Sequence, residues 1–264
     1  MKIVLDVKES LIHNAEHYFS LAKKQRKKAE HAREALTMLR EKLEKKTPAP
    51  NKNQTTTLRK KQWFDAFRST KLSSGKLVVG GKDAESNEVL IKKHVLKEDI
   101  VFHTEAPGSP FVVIKTGGST VTEQDLEEAA LFCAVYSRAW KQGLSQAEVY
   151  WVTPEQVSKE AKAGEYLQKG SFMIYGKRNF FSPGLRFALG VIAHEVIVGT
   201  EEHISSHCSQ YVVLQPGETK TSDAAKEIAK HVQITDSNEV LRALPAGGVS
   251  ITKKKGNILK RDVF

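Results

Sequence analysis

Three short apolar runs constrain this chain most: Leu77-Val78-Val79, Ile100-Val101-Phe102 and Phe111-Val112-Val113-Ile114. Each is β-branched or aromatic and bounded by turn residues, so each reads as a buried strand. Gly80-Gly81 breaks the first run, and Pro107-Gly108-Ser109-Pro110 turns the chain into the third. Between the first two, Asp83 stands as the cap of a helix, with Ser86, Asn87 and Glu88 in its first turns. Val89, Leu90 and Ile91 give that helix an apolar face. Lys92, Lys93 and His94 sit at its end, where cations suit a helix C-terminus. Polar residues therefore crowd the loops at strand ends, where binding sites concentrate.

Charge is distributed unevenly. The formal net charge is +10 over 264 residues. Residues 1–62 hold 16 Lys and Arg against 7 Asp and Glu, an excess of nine. A basic surface gathered in one segment attracts polyanions, and nucleic acid is the commonest of them. The alternative is a solvated helix in a chain rich in Lys and Glu.

Within that segment Leu11, Ala15, Tyr18, Ala22, Gln25, Ala29, Ala32, Leu36, Leu39 and Leu43 recur with a period of 3.5 residues. This is the seam of a coiled coil, and it predicts one helix from about Lys8 to Lys46. Such a stripe must be covered, and a second copy of the chain is the simplest cover. Lys23, Lys24, Arg26, Lys27 and Lys28 make a basic band around it without interleaved acids, suited to phosphate contact. Residues 47–57, TPAPNKNQTTT, have linker composition. Residues 58–68 are expected as a short helix with Leu58, Trp63, Phe64 and Phe67 on its apolar face.

Further strands are expected at 148–152, 171–175, 179–181, 186–191 and 210–214. Helices are expected at 122–142, 221–232 and 237–244, and residues 253–264 are expected as a basic tail. Thr122 caps the first, Gly143 ends it, and Cys133 lies on its buried face. The expected fold is α+β: a mixed, mostly antiparallel sheet with packed helices, preceded by a long N-terminal coiled-coil helix. The expected division is a basic helical region over 1–68 and an α+β domain over 69–264.

A family resemblance rests on ordered blocks. They are Gly80-Gly81-Lys82-Asp83-Ala84, Asn87-Glu88, Asp99-Ile100 with His103, and Pro107-Gly108-Ser109. Glu127-Glu128-Ala129-Ala130, Tyr136-Ser137, Val157-Ser158-Lys159, Gly164 to Leu167, Gly170 to Ile174 and Gly176 to Phe180 continue them. Over residues 63–181 the sequence closely resembles the NFACT RNA-binding domain, the C-terminal module of the NFACT proteins of ribosome quality control. The resemblance implies contact with tRNA or ribosomal RNA on an obstructed large ribosomal subunit. It also implies either a short member or a piece of a longer one, since the given sequence begins within the family's coil segment. Lys82 stands where the family usually has Arg, which keeps the charge and loses the bidentate fork.

Candidate RNA contacts are Lys23, Lys24, Arg26, Lys27 and Lys28 on the coil, and Lys82, Asp83, Asn87, Lys92, Lys93, His94 and His103 in the domain. Lys159, Lys177, Arg178 and Asn179 join them; Lys162 and Lys169 lie nearby. Tyr166, Phe172, Tyr175, Phe180 and Phe181 interleave with these cations, as suits looped or single-stranded RNA. Phe172 and Phe180 also read as ordinary strand residues.

Other chemistries are poorly served. Gly80-Gly81-Lys82 lacks the spacing of a nucleotide-binding loop. His103 with Glu105 has no attached nucleophile motif. His194, Glu195, His203, His207 and Cys208 form the densest metal-like group, but without a ligand motif they read as an exposed helix between strands. No metal, cofactor or catalytic residue is expected. No apolar run reaches the length of a membrane-spanning helix, the N-terminus has no signal-peptide core, and two scattered cysteines fit a reducing cytoplasm. The expectation is a non-catalytic, cytoplasmic RNA-binding protein of translation quality control. The alternatives are a dimeric coiled-coil adaptor for a protein partner and a general DNA-binding protein.

Overall fold

The computed structural model describes residues 5, 7, 9–44, 62–106, 108–160, 169–193 and 195–256, with backbone only at 35 and 39–44. The expected linker at 47–57, Leu58, His194, Pro107, Lys162, Tyr166 and the last eight residues lie outside that set. The chain divides into two units, one within 1–59 and one within 60–264.

Among the described residues, the first unit holds one helix, α1 (Leu11–Glu44). Ser10 opens it, accepting the N–H of His13 on its hydroxyl at 3.1 Å. Apolar side chains along it lie open, with Leu11, Ile12 and Phe19 more than two-thirds exposed.

The second unit is α+β and antiparallel throughout. Its first half runs β1 (Arg68–Lys71), β2 (Leu77–Gly80), α2 (Ala84–Val89), β3 (Ile100–Thr104), β4 (Val112–Lys115), α3 (Glu123–Val135), α4 (Arg138–Lys141) and β5 (Val149–Val152). The second half runs β6 (Val157–Ser158), β7 (Met173–Ile174), β8 (Asn179–Phe181), β9 (Phe187–Ile192), β10 (Glu195–Gly199), α5 (Glu201–His207), β11 (Tyr211–Thr219), α6 (Thr221–His231), α7 (Ser237–Ala243) and β12 (Val249–Lys255). A six-stranded sheet has the order β1-β2-β4-β3-β5-β8, and a four-stranded sheet the order β10-β9-β11-β12. β6 and β7 form a small ribbon of their own.

The pleat sorts the apolar runs to two faces. Val78, Phe102, Val112 and Ile114 join the main core with α3, while Val79, Val101, Val113 and Val152 join a second core on the opposite face. Residues 129–135 of α3 are buried all round, as a helix without a polar stripe must be. It packs on β3, β4 and β5 and also meets β10 of the second sheet. Leu189, Val212 and Leu214 from that sheet complete the same core. Trp140 is fully buried, and its indole N–H donates to the carbonyl of Gly248 at 3.0 Å. On the far face of the second sheet, α5 covers Ala188, Tyr211 and Val213.

Four expectations are corrected. Within the described part of 58–68, the expected helix is one tight turn, Trp63–Ala66, followed by edge strand β1. The helix expected over 122–142 is two helices, because Ser137 starts α4 by accepting the N–H of Ala139 on its hydroxyl. The helix expected around His203 is α5, between β10 and β11, but His203 is buried on it rather than exposed, and Glu195 lies on β10 instead. Residues 253–255, read as a basic tail, close the second sheet as the end of β12.

Candidate nucleic-acid interface

The turn from β2 into α2 is built from side chains that hold one another. Asp83 accepts the backbone N–H of Ser86 at 2.8 Å and the Ser86 hydroxyl at 2.8 Å. In return the Ser86 hydroxyl accepts the N–H groups of Lys82 and Asp83 at 2.7 and 2.9 Å. The backbone bond from Ser86, then its hydroxyl, hold the Asp83 carboxyl below its ordinary value. Asn87 is buried, and its side-chain oxygen accepts the N–H of Phe111 at 3.0 Å. A Cβ on Gly81 would lie 2.0 Å from that oxygen, so the position has room only for glycine.

Glu88 is the fastening point. It accepts Lys92 at 2.6 Å, the N–H of Gly170 at 3.0 Å and Lys159 at 3.4 Å. These bonds, that of Lys92 foremost, bring its carboxyl down to about 2. Gly170 has φ +80° and lies against Ala84, where a Cβ would meet backbone at 2.5 Å. The Lys159 ammonium also sits 4.9 Å over the Phe172 ring and donates to the carbonyl of Ser171 at 3.0 Å. Asp83, Asn87, Lys92 and Lys159 are thus engaged in the architecture of the loop.

Both histidines of the predicted set are stacked. His94 lies flat on Trp63, centroids 4.2 Å apart and planes at 13°. Burial first, then Lys115 and Lys93, lower its pKa and favour the neutral ring. His103 packs on Phe111 at 4.4 Å, and its Nδ1 is 2.6 Å from the Thr104 carbonyl, to which its N–H donates. Burial again lowers its pKa. Glu105 pairs with Arg178, whose guanidinium lies 4.7 Å over the Tyr150 ring. His103 and Glu105 are therefore turned to separate partners.

Lys82, Lys93 and Lys177 remain exposed, with no ion pair from any of the three among the described residues. Lys177 follows Gly176 at a turn pinned by Gln156, whose amide donates to the carbonyls of Tyr175 and Lys177 at 2.7 and 2.9 Å. Asn179 begins β8, opposite Trp151. Next to it Phe180 is 49% exposed on the edge strand, packed edge-on to Tyr150, three residues after the exposed Lys177. Phe172 and Phe181 pack against the two cores. Lys169 pairs with Glu85 at 3.6 Å.

On α1, Lys23, Lys24, Arg26, Lys27 and Lys28 are all exposed, and none is in an ion pair among the described residues. Consecutive positions fan them around most of the helix circumference.

Two cations escape sequence reasoning. Partial burial, then the guanidiniums of Arg68 and Arg242, lower the pKa of Lys82; Asp83 and Asp65 act more weakly in the opposite direction. Arg68 is on β1 and Arg242 on α7, and no local spacing links them to Lys82. Trp63, half-exposed on His94, was also missed as a surface aromatic because it read as a helix-face residue.

Among the described residues no group of three or more His, Cys, Asp or Glu could hold a metal ion. His203 is 3.8 Å from the Glu128 carboxylate, His207 Nδ1 bonds the His203 carbonyl, and the buried Cys208 thiol donates to Val191. No described helix is long and apolar enough to cross a membrane.

Residues 60–176 match the family described as the NFACT protein RNA binding domain. The chain is similar to the archaeal Rqc2 homolog aRqcH of Methanocaldococcus jannaschii, with 41% identity over 204 residues, 74% of this chain and 30% of that protein. It is similar to the ribosome quality control complex subunit NEMF homolog of Drosophila melanogaster, with 36% identity over 188 residues, 67% of this chain and 18% of that protein. Ribosome quality control complex subunit 2 of Schizosaccharomyces pombe aligns over 96% of this chain and 23% of its own length, at 26% identity. The chain thus spans less than a third of the length of each of these relatives.

Proposed function

Given that the chain belongs to the NFACT family through the RNA-binding domain at residues 60–176, we propose that it is a non-catalytic RNA-binding protein of ribosome-associated quality control. Its ligands are tRNA or ribosomal RNA on the large ribosomal subunit, and its place is the cytoplasm. The observation that carries the reading is the family match joined to exposed, unpaired cations: the band at Lys23, Lys24, Arg26, Lys27 and Lys28, and Lys82, Lys93 and Lys177 in the domain. Phosphates meeting these cations release counterions, so binding falls steeply with salt. Phe180 offers a stacking surface for an unpaired base beside Lys177.

The test is co-sedimentation with large ribosomal subunits at stepped ionic strength, beside mobility shifts with tRNA and with duplex DNA. Salt-sensitive binding to subunits and tRNA, in preference to duplex DNA, supports the reading. Equal affinity for DNA makes the protein a general polyanion binder, and indifference to all three at low salt ends the proposal.

A second reading has its own observation. Leu11, Ile12, Phe19, Leu36 and Met38 lie exposed along α1. Pairing of α1 with a second copy would cover them and make the chain a dimeric coiled-coil adaptor. Sedimentation equilibrium distinguishes dimer from monomer.

A further inference from the structure

Arg68, Lys82 and Arg242 come from three separate parts of the chain and converge. Arg68 opens β1 opposite Gly80, the last residue of β2, so Lys82 emerges two residues beyond that pair. The Arg68 guanidinium lies 4.7 Å over the ring of Tyr136. That same tyrosine donates its hydroxyl to the carbonyl of Ala243 at 2.6 Å, which ties the end of α7, and with it Arg242, to this corner. Tyr136 is thus the post around which the two arginines are arranged.

Nothing on the protein neutralises the three cations as ion-pair partners among the described residues. Two carboxylates lie near, but each is already engaged: Asp83 by Ser86, and Asp65 by the N–H of Gln62 at 2.7 Å. The Arg68 Nε is buried and has no hydrogen-bond acceptor. Buried donors in folded proteins nearly always have one, and with like charges around it an anionic oxygen is the complementary group for this arginine. The repulsion is felt by Lys82, whose pKa is lowered by both guanidiniums after partial burial.

We propose that Arg68, Lys82 and Arg242 form a phosphate seat for the RNA backbone. Arg68, held over the Tyr136 ring, supplies a guanidinium, Lys82 adds a point charge, and Arg242 adds a second guanidinium from α7. Contacts of this kind fix position and orientation and carry no base specificity. The proposal rests on the RNA-binding reading above and adds a site to it.

The experiment titrates labelled tRNA with the full chain at several salt concentrations, comparing native protein with Arg242→Gln, Arg68→Gln and Lys230→Gln. Arg242 and Lys230 are exposed, so neither substitution threatens the fold; Arg68→Lys accompanies Arg68→Gln, keeping the charge while removing the fork. The expected result is a several-fold loss of affinity for Arg242→Gln and a slope of log affinity against log salt shallower by about 1. Lys230→Gln should leave both unchanged, and Arg68→Lys should fall between native protein and Arg68→Gln. Native-like tRNA binding by Arg242→Gln, or equal loss in Lys230→Gln, overturns the seat while leaving the RNA-binding reading intact. Failure of the native chain to bind tRNA overturns both.

Discussion

The side-chain oxygen of Asn87 occupies the space in which Gly81 would carry a Cβ, only 2.0 Å from where that carbon would be. The oxygen is not idle there, since it satisfies the buried N–H of Phe111 at 3.0 Å. Gly81→Ala should push Asn87 off this bond. Asn87→Leu should leave the N–H without an acceptor. Each is expected to cost about 1–3 kcal/mol, read as a lowered urea midpoint with unchanged m. A native midpoint in either variant would show that the turn relaxes freely.

Glu88 makes the loop sensitive to acid. Its folded pKa of about 2 is below the ordinary 4.5, so the group contributes stability above the ordinary value and loses it as pH falls toward 2. Glu88→Gln should therefore lower the urea midpoint at neutral pH. It should also flatten the midpoint's decline between about pH 5 and pH 2. Parallel pH profiles for variant and native protein would show that the bonds to Lys92, Lys159 and Gly170 contribute nothing net.

The band on α1 is exposed, so reversing it should spare folding. Lys23, Lys24, Lys27 and Lys28, all changed to Glu, should weaken tRNA binding by more than about tenfold at low salt and reduce its salt dependence. Circular dichroism should keep its helical signal. Unchanged affinity would take α1 out of RNA contact and leave the domain cations to account for it.

Cys133 is fully buried and Cys208 is 5% exposed. Burial pushes both thiols up, so little thiolate exists at neutral pH. Neither should react with a thiol-specific chromogenic disulfide in the native state, and both should react once urea unfolds the protein. Prompt labelling of the native chain would show an opening of the core near α3 or α5.

Local chemistry made much of this fold legible. Leu77-Val78-Val79 and Phe111 to Ile114 are strands because alternate residues feed two cores, and Thr122 caps α3 as its type suggests. What failed was decided by distant partners. Arg68 pairs with Gly80, and the hydroxyl of Thr70 donates to the Val198 carbonyl at 2.6 Å, so the last residue of the segment expected as a helix opens an edge strand. The lysines of 253–255 have poor strand propensity, yet they suit an edge, where charge discourages further pairing. His203 looked like a surface residue because nothing near it in sequence announces Glu128.

The site divides the same way. Asp83 and Ser86 form a reciprocal cap four residues wide, readable from spacing. That Asn87 serves Phe111, or that Glu88 gathers Lys159 and Gly170, requires the folded chain. Arg68 and Arg242 went unnoticed because the pairing of Arg68 with Gly80 and the contacts of Tyr136, not sequence spacing, bring them to Lys82.

Because residues 129–135 of α3 are apolar on every side, they need cover from both sheets, and part of that cover comes from Leu189, Val212 and Leu214. The family model's match stops at 176, while similarity to relatives runs on beyond it. A fragment cut at 176 would leave one flank of that helix facing water, because the strands that cover it come later in the chain. The smallest autonomous folding piece has to reach as far as β12.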